Sequence, residues 1–251
     1  MVSQPGVRVN ERDRDLELSR VLSVALLSLG RQPVTALVFA VVLIYLPIFS
    51  LARFWPPAPA SVFSLDFVIY AVGLTPLVAI CALFSAWVAH QAVRPPTRAA
   101  SGSAASQAFA VFLTSIIVSA GAIVGAVLFV APGVIWLLAC CVAIPVAAIE
   151  RLSPLASIRR SFALSGNRLW IIFGYMAAVF LPLAAAVTLL ELALVGWDVH
   201  ARERSEVIVY VLRPIADTLS AVLGASMSAA LYSELTRLEI AQSAELRRPA
   251  H

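Results

Sequence analysis

Three charged residues interrupt the apolar C-terminal half of the chain. Arg213 and Asp217 lie four residues apart, which places them on one face of a helix, and Glu191 stands in the preceding apolar stretch. Glu191 and Arg213 would both lie roughly 10 Å below the outer membrane surface, at 1.5 Å per helical residue. One interpretation is a polar site for a lipid headgroup, ion or small solute. The alternatives are an ion pair that sets helix register, or an arginine that snorkels outward.

A second charged set follows an apolar stretch that begins at Pro132 and ends near Ala148. It consists of Glu150, Arg151, Arg159 and Arg160. Arginines beside an apolar segment suit anionic lipid headgroups, so this set is a candidate contact for lipid or for a partner protein at the inner face. The alternative is an ordinary cytoplasmic loop in which Glu150 pairs with an arginine.

The composition places both sets in a membrane protein. The chain of 251 residues is 61% hydrophobic and 13% charged, whereas soluble proteins are about half apolar and about a quarter charged. All 18 basic residues are arginine, and they flank apolar stretches, so the net charge of +4 indicates anionic headgroups as partners and not nucleic acid. Arginine without lysine, together with abundant alanine, is typical of a GC-rich bacterial genome.

The apolar stretches predict an all-α, polytopic membrane bundle of about six transmembrane helices plus amphipathic surface helices. Residues 1–31 form a cytoplasmic tail and surface helix, residues 32–235 the membrane domain, and residues 236–251 a second cytoplasmic tail. The first span is expected to be an uncleaved signal anchor. The predicted spans are residues 33–51, 67–92, 108–130, 133–149, 169–197 and 207–232.

Two amphipathic helices are predicted outside the spans. Residues 18–29 repeat apolar side chains at helical spacing, so this helix lies either flat on the membrane or packed on the bundle. The second helix covers residues 153–165, with the Ser153 hydroxyl as N-cap and Gly166 as C-cap. Its apolar face, with Arg159 at the border, is expected to lie on the membrane surface; that face carries Leu155, Ile158 and Phe162.

Small residues predict where spans approach one another closely. Gly121 and Gly125 form a GxxxG motif in the third span, which favours packing within the chain over a dimer contact. In the sixth span, two rows of small residues repeat every four positions. They are Ser220, Gly224 and Ser228, and Ala221, Ala225 and Ala229.

The distribution of arginine predicts the orientation. With six spans and a cytoplasmic N-terminus, fourteen of the 18 arginines fall on the cytoplasmic side and three on the outer side. Arg213 lies within a span. The expected location is therefore the bacterial inner membrane, with both termini in the cytoplasm.

A pattern of spaced residues runs through residues 132–170 and continues near the C-terminus. It consists of Pro132, Gly133, Glu150, Ala156, Arg160, Ser161, Leu164, Gly166 and Trp170, followed by Tyr232, Glu234 and Leu235. This pattern resembles the membrane domain that precedes some glycerophosphodiester phosphodiesterases and also occurs alone. The resemblance implies a multi-helix membrane domain without chemistry of its own, because catalysis in that family belongs to a separate soluble barrel. Near the C-terminus, Thr236 stands where that family usually has arginine.

No motif of an enzyme, metal site or cofactor site is found in the sequence. The three histidines are scattered, and the three cysteines lie in apolar stretches, so no metal or cofactor is expected. The first functional hypothesis is a non-enzymatic scaffold or adaptor in envelope or lipid-related processes. The second is a transporter of a small solute or lipid that uses Glu191, Arg213 and Asp217.

Overall fold

The computed structural model describes residues 18–30, 33–54, 75–92, 103–195 and 211–246. The elements in these ranges are helical, which confirms the predicted all-α bundle. They are α1 (Leu18–Gly30), α2 (Pro33–Phe39), a π-helical segment (Ala40–Tyr45), α3 (Leu46–Phe54), α4 (Thr75–Ala92), α5 (Ala104–Leu128), α6 (Val130–Ala139), α7 (Ala143–Ile149), α8 (Pro154–Ser165), a 3₁₀ turn (Gly166–Arg168), α9 (Leu169–Val195) and α10 (Arg213–Leu246).

Five helical stretches in the described ranges are long and apolar enough to cross a membrane, so the chain is a membrane protein. The apolar part of α4 is shorter, Leu77–Ala92, and the start of the predicted second span, residues 67–74, lies outside the described ranges. The number six therefore stays a prediction. The five are Pro33–Ser50, Ala104–Leu128, Ala131–Ile149, Leu169–Ala193 and Arg213–Ala244.

The short helix α7 lies at the centre of the core. Six of its seven residues are buried, and it packs against α4, α5, α8 and α10. Small side chains such as Ala147 and Ala148 let four neighbours approach one helix. Pro145 is the third residue of α7. A residue in the first turn of a helix has no intrahelical acceptor for its N–H, so a proline, which lacks the N–H, is tolerated there.

Helix α1 packs on the bundle. Its residues Val21, Ala25 and Ser28 are buried, and it contacts α10 and α4. The sequence left open whether this helix lies flat on the membrane or packs on the bundle, and these contacts are those of a helix packed on the bundle. Leu26 and Leu27 on the other side are exposed.

The first span contains a π-helical segment. The Leu46 N–H donates to the Val41 carbonyl, five residues earlier, where an α-helix would use the residue four earlier. Pro47 follows directly, and proline has no N–H and crowds the carbonyl four residues before it. The helix widens over Ala40–Tyr45 because this avoids the crowding.

Helices α5 and α6 form a tight hairpin in which Phe129 alone is the connection. A Cβ atom added to Gly125 would lie 2.7 Å from the Gly133 Cα, and one added to Gly121 would overlap the Trp136 indole. The Trp136 indole N–H donates to the Val118 carbonyl at 2.9 Å. The predicted packing of the GxxxG motif within the chain is therefore confirmed.

Candidate functional site

The predicted fourth span is broken near its middle. Helix α6 ends at Ala139 and α7 begins at Ala143, with a turn at residues 140–142 between them. The Ala143 N–H bonds to the Cys140 carbonyl at 3.0 Å, which leaves the Ala139 carbonyl without its helical partner. Pro145 likewise has no N–H to offer the Cys141 carbonyl, four residues earlier. The span predicted as one helix over 133–149 is thus two helices.

Serine hydroxyls from two other helices satisfy the carbonyls freed at this break. Ser161 of α8 donates to the Ala139 carbonyl at 2.7 Å, and Ser228 of α10 donates to the Cys141 carbonyl. Near the end of α7, the Gln107 amide donates to the Ala148 carbonyl. Buried carbonyls need such partners, and interrupted membrane helices survive where side chains supply them. The break therefore holds α8 and α10 in place.

Helix α8 turns a row of serines into the bundle. Ser157, Ser161 and Ser165 repeat every four residues and are fully buried. Ile158 lies beside them, in contact with a small cluster around Cys140 and Ala143. The prediction that Ile158 shares the membrane-facing surface is therefore wrong, because the side chain fills space between α8 and the α6–α7 break.

The opposite side of α8 carries Leu155, Arg159 and Phe162. Leu155 is 62% exposed and Phe162 is 39% exposed, and Arg159 is exposed as well. These positions lie within about 60° of one another at 100° per residue. We call this the outer stripe of α8. The outer stripe combines exposed leucine and phenylalanine with an arginine, which is the pattern of a helix that lies at a membrane surface.

Ser153 and Gly166 occupy the predicted N-cap and C-cap positions of α8, but the predicted capping bond of the Ser153 hydroxyl is absent. The Ser153 carbonyl accepts from the Ser157 N–H at 2.9 Å. Gly166 has φ −51° and opens the 3₁₀ turn that leads into α9. The chain therefore continues from the surface helix into the next span without a left-handed cap.

Arg160 joins three helices through a charged network at the end of α7. Its Nη1 donates to Glu239 Oε1 at 2.6 Å, its Nη2 donates to Glu239 Oε2, and its Nε lies 3.4 Å from Glu150 Oε1. The Tyr232 hydroxyl donates to the same Glu150 oxygen at 3.1 Å. The hydrogen bonds to Glu239 and the charge of Glu150 hold the pKa of Arg160 above its usual value. We call these four residues the inner network.

Of the predicted inner-face set, the structure brings Glu150 and Arg160 together, and Arg159 points away from them. Arg151 sits in the turn between α7 and α8 with φ 54°, a left-handed conformation that costs a residue with a side chain about 1–2 kcal/mol. Glu239, the closest partner of Arg160, was not among the predicted site residues. Its position seven residues after Tyr232, on the same helix face, was the available signal.

The outer charged cluster is looser. Asp217 lies within electrostatic range of both Arg213 and Glu191. No ion pair within 4.0 Å joins these three described residues. Arg213 and Asp217 are exposed on the surface of the chain, and Glu191 is half-buried. The helix that carries Glu191, α9, contributes very little to the core, because only 6% of its apolar part is buried.

Within the described ranges, no group of three or more His, Cys, Asp or Glu side chains is arranged to hold a metal ion. The three cysteines are free thiols. Compared with protein-family models, curated proteins and solved structures, the chain matches none of them. The resemblance to the phosphodiesterase membrane domain stays a prediction that rests on the residues named for it.

Proposed function

We propose that the protein is a non-enzymatic module of the bacterial inner membrane, a scaffold or adaptor in envelope or lipid-related processes. In this proposal α8 lies at the inner membrane surface and its outer stripe contacts anionic lipid. The observation that carries the proposal is the polarity of α8, which buries Ser157 and Ser161 and exposes Leu155 and Phe162. Such a helix is stabilised when the exposed apolar side chains enter the acyl boundary.

The inner network supports a fixed position for this surface. Arg160 is held by Glu150 and Glu239, so its charge is satisfied within the chain. Arg159, the next residue, points outward between Leu155 and Phe162. An arginine flanked by apolar side chains can place its guanidinium among lipid phosphates while its neighbours remain in the acyl region. One arginine therefore holds the helix, and the other is available to lipid.

The orientation in this proposal rests on the arginine distribution, which puts α8 and both termini on the cytoplasmic side. The inner leaflet of bacterial membranes supplies anionic headgroups. The bacterial origin rests on composition, since the chain contains arginine but no lysine. The resemblance of residues 132–170 to a membrane domain without chemistry of its own supports the same class of function.

A transporter of a small solute or lipid is the second candidate. The observation that favours it is the outer cluster, in which Asp217 lies within electrostatic range of both Arg213 and Glu191 and forms no ion pair within 4.0 Å with Arg213. Charges within a membrane span cost energy and commonly mark a functional site. In this alternative, the three side chains bind the polar part of a substrate between α9 and α10.

One experiment separates the two candidates. The full chain is reconstituted in nanodiscs of phosphatidylethanolamine and phosphatidylglycerol, and retained lipids are measured by native mass spectrometry. Arg159→Ala is expected to lower the retention of phosphatidylglycerol about threefold to tenfold, since one phosphate contact near the surface is worth about 1 kcal/mol. Arg213→Ala is the matched comparison, because it also removes one exposed arginine.

Each outcome favours one candidate. Loss of retained lipid with Arg159→Ala alone supports the α8 surface, and loss with Arg213→Ala alone supports the transporter. If both variants retain as much lipid as the wild type, and both are shown to be folded by monodispersity and thermal melting, both lipid sites are contradicted. The search would then turn to protein partners of residues 150–166.

A further inference from the structure

A long apolar groove lies on the opposite side of α10 from the charged cluster. It has a volume of about 510 Å³ and runs between the first span and α10. On α10 the lining residues are Ile215, Thr218, Leu219 and Val222, which share one helix face. Arg213 and Asp217 fall about 160° from that face at 100° per residue. The groove and the charged cluster are therefore separate features of the same helix.

The π-helical segment determines which side chains of the first span line the groove. Pro33, Ala36, Leu37, Ala40 and Val41 repeat at α-helical spacing along it. Continued as an α-helix, this pattern would bring Ile44 to the groove and turn Tyr45 about 100° away. The widened segment shifts the register by one residue, so Tyr45 lines the groove and Ile44 is fully buried in the core. Such π-helical segments occur frequently at functional sites.

The surface of the groove is almost wholly apolar, because only two of its lining residues have polar side chains. The Thr218 hydroxyl donates to the Pro214 carbonyl at 2.7 Å, so its hydrogen atom is used within α10. Tyr45 is the other lining residue with a polar side chain. A long occupant without polar groups fits this surface, because a polar occupant would lose its hydrogen bonds to water without replacement.

The length of the groove fits one lipid chain. Pro33 and Tyr45 are twelve residues apart, which is about 18 Å along a helix at 1.5 Å per residue. One leaflet of the hydrocarbon core is about 15 Å thick. Both walls belong to membrane-crossing helices, and Leu37, Val41, Ile215 and Leu219 are exposed along them, so the groove opens where lipid chains are the surrounding solvent.

We propose that this groove between the first span and α10 is a binding site for a single acyl chain of a membrane phospholipid, shaped by the π-helical segment that brings Tyr45 into it. This site goes beyond the surface contact of α8. It concerns a chain held along two helices and not a headgroup held at the membrane surface.

The test uses phosphatidylglycerol with a photoreactive diazirine on one acyl chain, in vesicles of phosphatidylethanolamine and phosphatidylglycerol that contain the full chain. After irradiation, labelled residues are mapped by peptide mass spectrometry. Val41→Trp fills the groove from one wall. We expect it to lower labelling of Leu37, Tyr45 and Leu219 about tenfold, which corresponds to a loss of about 1.4 kcal/mol in binding free energy. Val42→Trp is the matched control, because Val42 is 49% exposed against 42% for Val41 but does not line the groove.

The proposal is overturned if Val42→Trp lowers labelling as much as Val41→Trp does. It is also overturned if Val38 and Val42 are labelled as strongly as the groove residues, since that result means ordinary surrounding lipid only. If Val41→Trp is not monodisperse, Leu219→Trp fills the same groove from the opposite wall and gives the same two outcomes. Groove labelling in Arg159→Ala should equal that of the wild type, so failure of the α8 proposal and failure of this one are distinguishable.

Discussion

Two serine hydroxyls replace hydrogen bonds that the fourth span loses at its break. Ser161 and Ser228 come from different helices, and each donates to a carbonyl that has no helical partner. Serine suits this role because its side chain is small enough to let helices approach and carries a single adaptable donor. At this scale, the bundle depends on individual hydroxyls as well as on apolar packing.

Replacing Ser161 with alanine tests this dependence. The substitution leaves the buried Ala139 carbonyl without a donor, and we expect it to lower the free energy of unfolding by about 1–3 kcal/mol. Ser243→Ala is the control, because the Ser243 hydroxyl bonds to the Glu239 carbonyl on an exposed helix surface, where the change should be below about 0.5 kcal/mol. Thermal unfolding in mild detergent gives both values, and equal melting temperatures for the two variants would contradict the role of Ser161.

The sequence predicted part of the inner network and not all of it. Glu150 and Arg160 are ten residues apart, and pairing of Glu150 with a nearby arginine was one of the two interpretations. Glu239 is 79 residues from Arg160, and Tyr232 is 82 residues from Glu150. Local spacing says nothing about contacts at such separation, because they depend on how the helices pack.

At the scale of elements, α5 and α6 meet through backbone contact. Gly125 faces Gly133, and Gly121 faces the Trp136 ring, with no room for a side chain at either glycine. Backbones that approach this closely gain dispersion contacts along their length. The hairpin therefore depends on two glycine positions of α5 and on their partners in α6.

Gly125→Ala tests the hairpin, with Gly174→Ala as its control. The new methyl group at residue 125 would meet the Gly133 backbone at 2.7 Å, so one helix must shift, and we expect a loss of about 1–3 kcal/mol in the free energy of unfolding. Gly174 has open space around it in α9, so alanine should leave stability unchanged or raise it by up to about 1 kcal/mol through helix propensity. Unfolding titrations in mixed micelles measure both, and a neutral Gly125→Ala would show that the helices are not in close contact.

Helix positions were more predictable than helix interruptions. The predicted surface helix over 153–165 agrees with α8, and the span expected to begin at residue 169 agrees with α9. Pro145 and Pro182 both stand inside predicted spans, yet only the first lies at a break, while α9 continues through Pro182. At the break near Pro145, the Ser228 hydroxyl donates to the Cys141 carbonyl from another helix, and a single sequence does not reveal that contact.

At the scale of the whole molecule, the arginines predict a cytoplasmic location for both termini. Fourteen of 18 arginines lie on that side of a six-span layout. A reporter enzyme active only in the periplasm should therefore be inactive when fused to either end of the chain, and a reporter that needs the cytoplasm should be active at both. One active and one inactive terminus with the same reporter would require an odd number of spans.

The contact between Ser228 and Cys141 also bears on how the protein is made. The two residues are separated by 87 positions, which at about 5–20 residues per second corresponds to roughly 4 to 17 seconds of synthesis. Ser228 therefore leaves the ribosome later than Cys141 by that interval, and until then its hydroxyl is not available to the Cys141 carbonyl. The broken fourth span is therefore completed only when α10 has been made, and a chain that terminates before residue 228 leaves the Cys141 carbonyl without this donor.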